Sequence, residues 1–189
     1  FVVEFEKFMV AWVAAKKNRN FGWVVWPKTD LHCTGFEFKK SNASQITKDV
    51  QGEAFVALTR DNATREEIDA IVFKHIHRVK SGEVPRQDLA MRSRLGQSPE
   101  AYENAGGFQG AARRYNLTAE HKFAKGDGVP HLYTVRGIEA FRTDEEREAL
   151  VLDLTTTIEK QIISPISLIY EAMGWEEPTP DASRPVALW

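Results

Sequence analysis

The first part of the chain has the residue pattern of paired β-strands. Two apolar runs, Phe8–Ala15 and Gly22–Trp26, are rich in Val, Phe and Trp, and they flank the basic segment Lys16–Gly22. This arrangement predicts a strand, a basic turn and a second strand. A turn region at Pro27–Cys33 and a short strand at Gly35–Phe38 follow in the predicted order.

From Asn42 onward the apolar residues recur at steps of three and four, which is typical of amphipathic helices. Asn42 is the predicted N-cap of the first helix, with Gln45 three positions on. A capping box beginning at Thr64 predicts a second helix, which Gly82 ends. The two helices form a predicted helical hairpin.

Residues 83–130 are interrupted by proline and glycine, and only short elements are predicted there. These are helices at Pro99–Asn104 and Phe108–Tyr115, with a strand near His131–Arg136. A further capping box at Thr143 opens one long predicted helix that runs to Gly174. The pair Ser164-Pro165 should kink or interrupt that helix, because proline removes a backbone donor.

These elements predict an α+β chain: a short antiparallel strand pair followed by a mostly helical part. Residues 1–38 form the predicted strand region, residues 39–177 the predicted helical domain and residues 178–189 a loose tail.

Composition narrows the class of protein. The 189 residues are 42% hydrophobic and 28% charged, enough to bury a sizeable core. The longest apolar run, Phe8–Ala15, has eight residues, so no membrane span is predicted. Cys33 is the only cysteine, which excludes an internal disulfide and favours a reducing, cytoplasmic setting. The chain begins at Phe1 without an initiator methionine, and we expect a fragment or one piece of a larger assembly.

The net charge of −2 conceals an uneven distribution. Residues 1–138 carry 21 Lys+Arg against 16 Asp+Glu, whereas residues 139–189 carry 4 against 11. A basic body with an acidic end is compatible with nucleic-acid binding on one face.

No catalytic or metal-ligating set stands out in the sequence. There is no Asp-x-Asp pair of the kind that two-metal phosphoryl transfer needs. His75 and His77 are two residues apart on a predicted helix and point to different sides, whereas a shared metal ion favours a spacing of four. We therefore predict no catalytic residue, no metal site and no cofactor in these residues.

Basic residues beside turns, helix starts and glycines are the remaining candidates. Such positions bind phosphates without reading base sequence. They are Lys16, Lys17, Arg19, Lys39, Lys40, Arg92, Arg94, Gly106, Gly107, Arg113 and Arg114. Taken alone, a charged hairpin tip is more often plain solvated surface.

The order of motifs resembles the C-terminal part of archaeal-type family B DNA polymerases. Lys16-Lys17 through Phe21-Gly22 is similar to the basic–aromatic segment at that family's palm–thumb junction, and Gly35-Phe36-Glu37 with Lys40-Ser41-Asn42 is similar to the start of its thumb. The later matches follow in the same order: Ser81–Pro85, Gly106–Arg114, Lys125-Gly126-Asp127, Ile158–Ile163 and Met173-Gly174-Trp175.

The resemblance implies a palm-edge strand pair and a thumb that grips primer–template duplex DNA. The DNA-binding residues would be Lys16, Lys17, Arg19, Phe21, Lys39, Lys40, Asn42, Gly106, Gly107, Arg113 and Arg114, with Phe21 packing or stacking. The family's catalytic carboxylates precede the matched region. The resemblance therefore implies a nucleotidyltransferase part that is inactive alone, with Mg²⁺ and the catalytic palm supplied outside these residues.

The sequence departs from the family pattern at several of these motifs. Two extra residues separate Lys17 from Phe21, which lacks the tyrosine hydroxyl, and Ser41 and Asn42 replace an Arg and an Asp. Individual DNA contacts can therefore differ from those of the family.

Two other interpretations remain open. The chain could be the C-terminal subunit of a split polymerase, active only with its catalytic partner. It could instead be a non-catalytic interaction module whose acidic C-terminal part docks on a protein such as a sliding clamp, with Pro178–Trp189 as the docking segment.

Overall fold

The computed structural model describes residues 6–102 and 106–178, and it confirms the α+β class. These residues form two three-stranded antiparallel sheets. Along the chain, one sheet precedes a helical hairpin and the other follows it. Residues 1–5 and, apart from Pro178, the loose tail predicted at residues 178–189 lie outside this part. No helix in the described residues is long and apolar enough to cross a membrane.

The first sheet has the order β1–β2–β3, with β1 at Phe8–Lys16, β2 at Arg19–Trp26 and β3 at Asp30–Thr34. The predicted hairpin is confirmed, but the predicted turn region at Pro27–Cys33 is wrong because most of it is β3. The predicted strand at Gly35–Phe38 is also wrong. Gly35 takes a φ of 78° and turns the chain into a 3₁₀ turn at Glu37–Lys39.

The helical hairpin consists of α1, Gln45–Thr59, and α2, Arg65–Lys80. The predicted capping box at Thr64 is present in both directions, with Glu67 as the reciprocal partner. The predicted N-cap Asn42 is wrong: Ser44 occupies that position, and its hydroxyl bonds to Thr47 Oγ1 at 2.9 Å.

The second sheet was largely missed by the sequence pattern. Its strands are β4, Met91–Arg94, β5, Gly128–Thr134, and β6, Gly137–Ala140, in the order β4–β5–β6. The short helix α3, Arg86–Leu89, leads into β4, and a 3₁₀ turn at Pro99–Ala101 follows. The helix α4, Gly107–Asn116, packs on β6 and confirms the helix predicted at Phe108–Tyr115.

The single long helix predicted from Thr143 is wrong. The capping box starts a short helix α5, Asp144–Ala149, and the chain then runs extended, with Leu152 bridged to Thr134. Asp153 is the N-cap of the next helix, and its carboxylate accepts the Thr156 N–H at 2.9 Å. From there α6, Leu154–Ile158, a π-helical turn at Glu159–Ile163 and α7, Ser164–Met173, form one continuous helical segment that Gly174 ends.

Two hydrophobic cores hold these elements. The larger joins the first sheet to α1, α2 and α7, and at its centre the Phe21, Phe36 and Phe55 rings pack together with no exposed surface. The smaller core contains Leu95, Ala112, Phe123 and Val129, beneath α4. The larger core spans the boundary predicted at residue 38, so the first sheet and the helical hairpin share one interior.

Candidate nucleic-acid interface

The basic turn between the first two strands is a tight hairpin. Lys16 pairs with Arg19 across the strands, so that only Lys17 and Asn18 form the turn. Asn18 has a φ of 61°, a left-handed conformation that asparagine tolerates better than most residues. The turn therefore holds its cations on a rigid two-stranded support.

The two lysines of this hairpin differ in whether a carboxylate neutralises them. Lys17 is exposed and pairs with no carboxylate in the part of the chain that the structure describes. Lys16 Nζ lies 2.8 Å from Glu171 Oε2, with both side chains more than half exposed. An exposed pair of this kind contributes about 0–1 kcal/mol, so a phosphate can compete for Lys16.

Gly35 joins the hairpin to the second basic segment. A Cβ built at this position would lie 2.2 Å from the Asn18 carbonyl oxygen and 2.9 Å from Arg19 Cγ. Only a residue without a side chain allows this approach. The 3₁₀ turn carrying Lys39 follows directly, and the two basic segments are therefore neighbours.

Lys39 and Lys40 have different surroundings. Lys40 Nζ lies 2.8 Å from Glu37 Oε1, and Gln51 donates to the other Glu37 oxygen at 3.2 Å. Burial alone would raise the pKa of Glu37, but these hydrogen bonds outweigh it and hold that pKa below its usual value. Glu37 thus stays charged and neutralises Lys40, whereas Lys39 is exposed and lies 5.3 Å from the centre of the Phe38 ring.

Phe21 has no exposed surface, so a direct contact of its ring with DNA is excluded in this structure. Its ring stacks on Phe55 with the centroids 4.2 Å apart. Phe21 therefore packs inside the protein core. Asn42 is exposed in the turn before α1, near Lys40 in sequence, but it caps no helix.

A second basic surface surrounds α4. Gly106 occupies the N-cap position, Gly107 has a φ of 60°, and both are exposed. A Cβ at Gly106 would meet no heavy atom of the described residues within 4 Å, its chain neighbours apart. Arg113 is exposed, whereas the Arg114 Nη2 donates to the Ile138 carbonyl oxygen at 2.7 Å and is partly committed.

Arg92 and Arg94, which the sequence already identified as candidates, form a separate basic patch, because the alternate residues of the second sheet, Leu95 and Val129, pack with Ala112 of α4. Both project from β4, and Arg92 lies so close over Gly128 that a Cβ there would be 2.4 Å from its Nε. Arg94 Nε donates to the Gly126 carbonyl oxygen at 3.1 Å. The sequence identified these two arginines but not the strand β4 that holds them beside Gly126 and Gly128.

The acidic residue of that turn does not cancel these arginines. The Asp127 carboxylate accepts the Ala124 N–H at 3.0 Å and lies 3.0 Å from Arg142 Nη2. These two interactions, the backbone one first, lower the pKa of Asp127. Its charge is balanced by Arg142, and Arg92, Arg94 and the exposed Lys125 form a positively charged patch.

No protein-family model matches this chain, and no curated protein matches it.

Within residues 6–102 and 106–178 no group of three or more His, Cys, Asp or Glu side chains could hold a metal ion. Burial raises the pKa of the Cys33 thiol to about 11, so this thiol is protonated at neutral pH. What the described surface offers is a set of exposed cations suited to binding anions.

A further feature is the outer face of the first sheet, which is apolar. Phe8, Val10, Trp12 and Trp26 are each more than half exposed. The alternate residues of β1 face the core, so both faces of this strand are apolar. Such a sequence is typical of a strand covered on both sides, and exposed apolar patches mark interaction surfaces.

Proposed function

We propose that this chain is the palm-edge and thumb portion of a family B DNA polymerase, and that it grips primer–template duplex DNA through the phosphate backbone. The observation that carries the proposal is that the core holds the basic hairpin in a fixed position. Lys17 and Arg19 extend from a strand pair anchored in the aromatic core, and Gly35 brings the turn of Lys39 beside them. Cations on rigid supports can hold a polyanion at fixed spacing.

The basic patch of Arg92 and Arg94 and the start of α4 would each add phosphate contacts to this grip. Arg92 and Arg94 lie over a glycine turn, and Gly106-Gly107 opens the backbone at the start of α4. Contacts to phosphates fix the position of a duplex but carry no sequence information. We therefore expect binding with little sequence preference.

In this proposal the chemistry belongs to a catalytic palm, and the apolar outer face of the first sheet would pack against it. Trp12 and Trp26 are 59% and 52% exposed and share one apolar sheet face with Phe8 and Val10, and exposed apolar patches mark interaction surfaces. The same surface also suits the variant in which this chain is a separate subunit that associates with the catalytic part.

Duplex binding is tested by fluorescence anisotropy of a labelled primer–template titrated with the whole chain at several salt concentrations. With about five phosphates contacted, the slope of log affinity against log salt should be about −4 to −5. An affinity that does not change with salt, or the absence of duplex binding at low salt, would contradict the proposal.

Charge-matched variants make this test specific. Lys17→Ala and the double variant Arg92→Ala/Arg94→Ala should each weaken binding, and each lost phosphate contact should reduce the slope by about one. Lys160→Ala removes an equally exposed cation from the acidic end of the chain and should leave binding unchanged.

Association with a catalytic part is tested by primer extension. Adding this chain to a polymerase fragment that lacks its thumb should increase extension, whereas Trp12→Ser should lose that gain but retain duplex binding. No gain in extension with the native chain would contradict the separate-subunit form of the proposal. It would leave the duplex-binding proposal standing, because duplex binding is measured in a separate assay.

A further inference from the structure

A positively charged cleft lies along β3. It has a volume of about 340 Å³ and is open to solvent. Val24, Leu31 and Cys33 provide apolar lining, and its polar groups are Lys7, Lys28, Asp30, His32 and Lys39. The cleft thus collects three lysines and a histidine against one carboxylate.

The three lysines come from separate parts of the chain. Lys7 precedes β1, Lys28 lies in the turn after β2, and Lys39 ends the 3₁₀ turn. None of them pairs with a carboxylate in the described ranges, in contrast to Lys16, Lys40 and Lys74. Asp30 does not compensate fully, because it is the one carboxylate in the lining and faces three lysines.

His32 connects these cations. Its Nδ1 lies 3.3 Å from Lys7 Nζ, so the ammonium group donates to a neutral imidazole. Its Nε2 lies 3.4 Å from Thr34 Oγ1. Burial, followed by the charges of Lys7 and Lys39, lowers the pKa of His32. The cleft is therefore a place where positive charge accumulates and where an anion would relieve the repulsion.

We propose that this cleft binds a phosphate group, held by Lys7, Lys28 and Lys39, with His32 as an additional donor when its ring is protonated. Ammonium groups bind phosphate as point charges, and a cleft of this volume accommodates a phosphate together with an attached sugar or base. The phosphate could be carried by a DNA strand or by a free nucleotide. The site goes beyond the proposed duplex grip, with which it shares only Lys39.

The position of the cleft separates it from the hairpin tip. Lys17 and Lys28 lie beyond opposite ends of β2, and a strand of eight residues spans roughly 25 Å. Effects of Lys28 and of Lys17 on binding can therefore be measured independently.

The test is a titration of the whole chain with inorganic phosphate, followed by NMR of the ¹⁵N-labelled histidine rings. We expect saturable shifts at His32 and a rise in its pKa, because a bound phosphate favours the protonated ring. Lys7→Ala, Lys28→Ala and Lys39→Ala should each weaken binding about threefold, and the triple variant should weaken it more than about tenfold. Lys160→Ala is the charge-matched control and should bind like the native chain.

All three lysines are exposed, so these variants should retain the native unfolding temperature. The absence of a saturable shift at His32, or unchanged binding by the triple variant, would overturn the proposal.

The source of the phosphate is identified by comparing the binding of three probes to the native and the triple-variant chains. Lysine-dependent binding of a 5′-phosphorylated oligonucleotide but not of its unphosphorylated form identifies a strand terminus. Equal lysine-dependent binding of both identifies backbone phosphate. Lysine-dependent binding of a nucleoside monophosphate alone identifies a free nucleotide.

Discussion

The hydroxyl of Thr47 donates a hydrogen bond of 2.7 Å to the carbonyl oxygen of Gln161. In a regular α-helix that carbonyl would accept the N–H of residue 165, but Pro165 has none. A side chain from α1 thus satisfies the backbone group that proline leaves open. Gln51 adds a second bond of the same kind, its Nε2 donating to the Pro165 carbonyl oxygen at 2.8 Å.

Replacing Thr47 by valine should destabilise the protein. The substitution keeps the side-chain shape but leaves the buried Gln161 carbonyl without this donor, which costs about 1–3 kcal/mol. Chemical denaturation monitored by circular dichroism measures the change in the free energy of unfolding. Thr47→Ser keeps the hydroxyl and should lose less; equal losses for the two variants would show that the hydrogen bond is not the cause.

Replacing Gly35 by alanine should destabilise the hairpin junction. Its φ of 78° is unfavourable for alanine, and the new Cβ would meet the Asn18 carbonyl oxygen at 2.2 Å. Gly82 provides a matched control, since it has a φ of 76° but, its chain neighbours apart, no heavy atom of the described residues within 4 Å of a built Cβ. Thermal unfolding should therefore show a larger loss for Gly35→Ala than for Gly82→Ala, where backbone strain of about 1 kcal/mol acts alone.

Gly128→Ala should separate binding from stability. A Cβ at Gly128 would collide with the Arg92 guanidinium at 2.4 Å, and that flexible side chain can move away at little cost. We expect near-native unfolding but weaker duplex binding in the anisotropy assay, because Arg92 leaves its position. If the same substitution in an Arg92→Ala background weakens binding further, displacement of Arg92 does not explain the effect.

The pKa of His75 should depend on Glu53. His75 is buried, and its Nε2 lies 2.8 Å from the Glu53 carboxylate. Burial lowers the pKa of His75, and Glu53 partly opposes that effect. Glu53→Gln should therefore lower the pKa further, as measured by NMR of the imidazole ring, whereas Glu66→Gln at an exposed position should not change it.

The sign of the pH effect on stability follows from the same pair. Because the folded pKa of His75 lies below the unfolded value of about 6.5, its contribution is present above pH 6.5 and is lost as pH falls through the folded pKa. Unfolding experiments between pH 7 and 5 should show this loss. A His75→Phe variant should show a smaller loss, and an unchanged pH dependence in that variant would contradict the assignment.

Local signals predicted much of the fold. The capping boxes at Thr64 and Thr143 start helices as expected, because a cap depends on residues only three positions apart. The strand–turn–strand arrangement around Lys17-Asn18 is likewise encoded in adjacent residues.

Long-range interactions account for the errors. The apolar repeat continues from Leu150 to Leu154, which suggested one helix, but Leu152 pairs with Thr134 of the second sheet and Asp153 starts a new helix. In the candidate interface the cations were identified from sequence. The burial of Phe21 and the pairing of Lys16 with Glu171 depend on residues far apart in the chain. These two features could therefore not be predicted from the local sequence.

The π-helical turn at Glu159–Ile163 absorbs one extra residue within the last helical segment. Each residue of an α-helix turns the following ones by about 100°, and a π turn accommodates one residue more than an α turn. Deleting a single residue there would restore regular α-helical geometry and keep Ile166, Ile169 and Tyr170, now fully buried, facing the core, because the deletion removes the residue that the π turn absorbs. The same deletion in the regular helix α1 would rotate every later residue of that helix, so the π turn is the place in these helices where the chain can be shortened by one residue.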